Sequence, residues 1–121
     1  MSAITTHVLD TALGLPAAGV PIRLERLERT ADGRGEVTSA TTVAIATTGD
    51  DGRAGDLGPA RIKPGTYRLV FDTGAYYRAQ PGHEPPFFPE VTVSFAVRDS
   101  ADHYHVPLLL SPYGYTTYRG S

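Results

Sequence analysis

Apolar and polar residues alternate through most of this chain, and that alternation predicts strands. From His103 to Leu110 a period of two places Tyr104, Val106, Leu108 and Leu110 on a core face. The opposite face carries His103, His105, Pro107 and Leu109. Val91, Val93, Phe95 and Val97 alternate with Thr92, Ser94 and Ala96 in the same way, as do Tyr67, Leu69 and Phe71 with Arg68 and Val70. Val20, Ile22 and Leu24 mark another half-buried strand that Pro21 assigns to an edge or a strand start. Thr5 to Leu9 and the β-branched run Thr41 to Thr48 complete the inner set. In the first of these, Thr5, His7 and Leu9 share a face.

Punctuation between the runs supports hairpins. Ser111-Pro112-Tyr113-Gly114 has Pro second and Gly fourth in a four-residue turn, so Tyr115 to Arg119 is expected to return alongside the His103 strand. The chain then ends near the two histidines. Ala31 to Val37 and Gly49 to Arg53 are turn-rich, and Gly14 to Gly19 reads as a loop. Thr73 to Gln80 is the one candidate helix, with Thr73 as its cap and Pro81-Gly82 as its stop. These elements predict an all-β fold: an antiparallel two-sheet β-sandwich of seven or eight strands with one short helix.

Composition narrows the functional classes. The 121 residues are 40% hydrophobic and 20% charged, which suits a single domain over residues 1–121 rather than a disordered chain. Net charge is only -2 and there is no basic run, so no nucleic-acid or anionic-membrane partner is expected. Without cysteine there is no disulfide or thiol chemistry. The start lacks a secretory pattern and no apolar run reaches membrane length, which makes the cytoplasm the expected location.

The candidate chemistry lies in four histidines, His7, His83, His103 and His105. His-x-His on a strand face with a third histidine is a ligand set used by some zinc hydrolases. The metal-free reading uses imidazole as a general base near neutrality, with an arginine as permanent cation. Asp-Gly-Arg occurs twice, ending at Arg34 and at Arg53, and local sequence does not choose between the copies.

Taken together, certain segments resemble the transthyretin-related family of 5-hydroxyisourate hydrolases. They are His7-Val8-Leu9-Asp10-Thr11 with Gly14 and Pro16-Ala17, Asp51-Gly52-Arg53, Phe88-Pro89-Glu90-Val91, and His103 through the closing Tyr118-Arg119-Gly120-Ser121. The resemblance implies a transthyretin-like sandwich assembled as a homotetramer. It also implies ring-opening hydrolysis of 5-hydroxyisourate, in urate degradation, with no cofactor and no metal. By the same resemblance His7, Arg53 and His105 are catalytic, Tyr118, Arg119, Gly120 and Ser121 bind substrate, and Arg34 is a surface turn. Residues 30–49 are longer and less aromatic than the family pattern, and Thr116 stands where serine is common. A transthyretin-like carrier of a small aromatic ligand is the alternative function.

Overall fold

A computed structural model describes residues 2–30, 35–82 and 85–121. The first Asp-Gly-Arg copy with Arg34, and also His83, lie outside the described residues. Among the described residues nine strands and a short helix follow in the order β1 Ile4–Asp10, β2 Leu15–Pro16, β3 Pro21–Arg29, β4 Val37–Thr47, β5 Arg53–Ala54, β6 Gly65–Phe71, α1 Thr73–Arg78, β7 Val91–Val97, β8 Tyr104–Ser111 and β9 Gly114–Thr117. They form two sheets, one ordered β2-β1-β8-β9 with β5 also on β1, the other ordered β4-β3-β6-β7. The β-sandwich expected from the alternation is present.

The core forms between the inner faces of the two sheets. Ile4 and Val8 of β1 and Tyr104, Val106, Leu108 and Leu110 of β8 meet Leu24, Leu69, Phe71 and Val91 from the other sheet. Because side chains alternate along a strand, burying these residues turns Thr5, His7 and His105 to the outer face of the five-stranded sheet. Sequence patterning alone thus aims the site outward.

Three details differ from the sequence expectation. The β1–β8 ladder is parallel, pairing Thr5 with His105 and His7 with Pro107, within an otherwise antiparallel framework. The helix is capped by Asp72, whose carboxylate accepts the Ala75 N–H at 2.9 Å. Thr73 instead donates to the Phe88 carbonyl at 2.7 Å, so its hydroxyl is committed to the 85–89 connection rather than to the helix end. Finally, the short strands β2 and β5 arise in stretches that read as a loop and a turn. They are too brief to show a period of their own, and pairing with β1 organises them.

The far end of β1 is pinned by a buried carboxylate. Asp10 accepts N–H bonds from Ala12 and Leu13, both at 3.0 Å, and the Tyr76 hydroxyl at 2.7 Å. Burial, reinforced by that carboxylate, raises the Tyr76 pKa, so the phenol stays a donor. This cluster ties α1 to the strand that carries His7.

Candidate active site

The site is assembled around β1, with β5 on one side and β8 on the other. His7 is paired with Arg53 in the antiparallel β1–β5 register, and Thr5 is paired with His105 in the parallel β1–β8 register. Partners in a ladder point to the same face, so all four side chains emerge on the outer surface. An open depression of about 280 Å³ lies there, walled by Thr5, Arg53, Gly55, His103, His105 and Ser121 among others. His7 is not one of its walls.

The turn before β5 explains how Arg53 reaches this place. Gly52 has φ +79°, and a Cβ there would run into the Val8 carbonyl oxygen, so this turn position requires glycine. Its backbone carbonyl accepts the Val8 N–H at 2.7 Å, which clips the turn onto β1. The His7 Nε2–H donates to the Asp51 carbonyl at 2.8 Å and adds a second clip. The Arg53 Nε lies 3.9 Å from Asp51 Oδ2, and both groups are more than half exposed. So long a contact in solvent holds the guanidinium only weakly and leaves it available to an anionic partner.

His105 is the most perturbed group of the cluster. Burial lowers its pKa below the ordinary 6.5, and Arg53, His103 and His7 act in the same direction by repelling a second positive charge. It is therefore a neutral imidazole at pH 7. Its Nδ1 lies 2.8 Å from Thr5 Oγ1, and the same oxygen lies 2.9 Å from His103 Nε2. Thr5 was not singled out for chemistry by the sequence, although its place two residues before His7 on the same strand face was a usable signal. Among the described residues no group of three or more His, Cys, Asp or Glu side chains is arranged to hold a metal ion.

The tail divides between two faces. Gly120 forms a bridge with His105, donating its N–H to the His105 carbonyl at 2.8 Å. A Cβ on Gly120 would lie 2.6 Å from His105 Cδ2 and 3.3 Å from Pro107 Cγ, so the bare Cα rests directly against the imidazole. Ser121 reaches the depression. Tyr118 and Arg119 line a different groove with Val93, Phe95 and Tyr104, and the Arg119 guanidinium sits 4.7 Å from the centre of the Tyr104 ring. Within one chain, then, Gly120 and Ser121 meet the histidines, whereas Tyr118 and Arg119 secure the tail at the sandwich edge.

Comparison with known proteins bears on the family of the chain. The HIUase/Transthyretin family profile matches residues 4–120. The 5-hydroxyisourate hydrolase of Mus musculus is 50% identical over 121 residues, covering 99% of this chain and 96% of that one. The enzyme of the same name from Pseudomonas aeruginosa is 46% identical over 125 residues, covering 100% and 93%. Among solved structures, Klebsiella pneumoniae 5-hydroxyisourate hydrolase superposes with a TM-score of 0.77 at 35% identity, covering 100% of this chain and 94% of that one. Transthyretin from Sparus aurata gives 0.83 at 31% identity, covering 99% and 97%. The profile match, the identity across nearly the whole chain and the shared fold converge: this chain belongs to the HIUase/transthyretin family.

Proposed function

We propose that this chain is a single hydrolase domain that opens the ring of 5-hydroxyisourate to give 2-oxo-4-hydroxy-4-carboxy-5-ureidoimidazoline in urate degradation. The observation that carries the reading is the meeting of a neutral imidazole, His105, with the Arg53 guanidinium in one open depression. His105 takes a proton from a water that attacks the ring carbonyl. Arg53 presents its fork of donors to the planar substrate and to the oxyanion that forms. His7 holds the turn that carries Arg53. Ser121 supplies a polar contact at the rim, and Gly120 presses the His105 ring into place.

The reading includes assembly as a homotetramer. β7 and β9 are edge strands of their sheets, and edge strands offer backbone groups for pairing with another chain. The depression lies on an outer sheet face, and a second copy covering that face would enclose the substrate.

The direct test follows the absorbance of freshly generated 5-hydroxyisourate with and without the protein. Accelerated decay is expected. Saturable binding without decay would favour the carrier reading, which the fold alone serves equally well since transthyretin superposes on it.

Two further results are expected. Because burial and three positive or ionisable neighbours depress the His105 pKa, the acid limb of kcat/KM should fall below pH 6.5. Folding stability shifts in the same direction. As pH falls below 6.5 the unfolded chain binds this proton first, so the contribution present above 6.5 is lost as pH drops through the folded value. A limb at or above 6.5 would contradict the assignment. For the tail, Gly120→Ala should displace either the His105 ring or the last two residues, lowering turnover roughly ten- to a hundredfold with little change in thermal midpoint. Unchanged turnover would show that the close contact does not position the ring.

A further inference from the structure

One hydroxyl lies between two imidazoles at hydrogen-bond distance from each, and the Thr5 side chain has a single proton to place between them. Thr5 Oγ1 is 2.8 Å from His105 Nδ1 and 2.9 Å from His103 Nε2. If His103 Nε2–H donates to Thr5, the hydroxyl donates to His105 Nδ1, and the His105 proton resides on Nε2. Run the other way, His105 Nδ1–H donates to Thr5, the hydroxyl donates to His103 Nε2, and His105 Nε2 holds a free lone pair. Only the second arrangement makes His105 a base at Nε2. The two differ by the passage of one proton along the chain His105, Thr5, His103.

From this geometry we infer that Thr5 and His103 form a proton exit for the hydrolysis, with Thr5 as the bridging hydroxyl and His103 as the group that hands the proton to solvent. The inference rests on the proposed reading of His105 as the base. The chemistry requires such an exit. Hydrolysis of a cyclic amide to a carboxylate and a weakly basic ureido nitrogen consumes water, leaves one of its protons on that nitrogen, and releases the other. The Nδ1 of His105 already meets Thr5, whose hydroxyl meets the exposed His103, so a proton leaving from that side has a hydrogen-bonded path. In the balanced step His105 Nε2 accepts the proton from water and Nδ1–H passes its proton to Thr5 Oγ1. Thr5 passes its own hydroxyl proton to His103 Nε2, and His103 loses its Nδ1 proton to solvent. His103 is exposed and Thr5 and His105 are half-buried, so the chain runs from the site outward. Once product has left, His105 gives its Nε2 proton to solvent and one proton re-enters through His103 and Thr5 to Nδ1, which restores the starting tautomers with one proton released per turnover.

The test compares Thr5→Val, Thr5→Ser, His103→Gln and His105→Gln by kcat, KM, solvent deuterium isotope effect and response to added imidazole. Thr5→Val and His103→Gln are expected to lower kcat roughly tenfold or more with KM nearly unchanged, and Thr5→Ser to restore it. Added imidazole should rescue His103→Gln but not Thr5→Val, because a small base can occupy the exposed position but not the bridge. The isotope effect on kcat should rise in His103→Gln as proton release becomes limiting. Should Thr5→Val fail to fold, the exposed His103 position still decides the matter. A His103→Gln enzyme with the parent's kcat, or one whose loss is indifferent to imidazole and to deuterium, would overturn the relay. Those outcomes with an inactive His105→Gln leave the base assignment standing, whereas a fully active His105→Gln removes the base itself.

Discussion

His105→Gln is expected to lower kcat/KM by about two to four orders of magnitude, the range that a positioned general base contributes. Glutamine keeps a hydrogen-bonding group of similar length but has no proton affinity near neutrality. The fold should persist, because His105 projects from the outer face of β8 while Tyr104 and Val106 on either side carry the packing into the core. Circular dichroism and thermal midpoint should therefore match the parent while decay of 5-hydroxyisourate approaches the uncatalysed rate. Near-parent turnover would exclude His105 and move attention to His7, which stands opposite Arg53 in the β1–β5 pairing.

Arg53→Ala should cost about 3 kcal/mol of transition-state stabilisation, roughly a hundredfold in rate, if the guanidinium acts as an oxyanion donor. The substitution leaves the turn intact. Gly52 still clips to Val8, and the backbone N–H of residue 53 still reaches Asp51 Oδ1, 3.0 Å away. Arg53→Lys should recover only part of the loss, because an ammonium keeps the charge but not the planar fork. Arg34→Ala, in the other Asp-Gly-Arg copy, is the control and should leave turnover unchanged. Equal losses for Arg34→Ala and Arg53→Ala would remove the reason for assigning the cation to Arg53. The Arg53→Ala variant should also raise the His105 pKa, since one of the charges that opposes its protonation is gone. A pH profile of the residual activity separates that electrostatic effect from loss of the oxyanion donor.

The two substitutions bear on different kinds of legibility. His105 could be placed from its strand: the alternation that buries Tyr104, Val106, Leu108 and Leu110 turns it outward whatever lies beside it. Arg53 could not be placed that way. Its strand is two residues long, its tripeptide recurs at Asp32-Gly33-Arg34, and only pairing with β1 and the close approach of Gly52 to Val8 bring it opposite His7. The resemblance to a family named the arginine, and the ladder shows how the backbone delivers it. The tail shows the same division. Its residue types carried the family likeness, but the chain turns Arg119 toward Tyr104 and Gly120 toward His105, a split that the motif alone does not reveal.

By itself, then, the sequence determined the strands, their inward faces, the outward aim of His7 and His105, and the hairpin that returns the tail to β8. All of these follow from period-two alternation and turn chemistry, which act over a few neighbouring residues. Only the tertiary structure decided which outward side chains become neighbours. The parallel β1–β8 register joins Thr5 to a histidine 100 positions later in the chain, and the β1–β5 pairing joins His7 to Arg53 across 46 positions. Such pairings arise because burying both sheets against one core selects a single lateral order of strands, and no local pattern encodes that order.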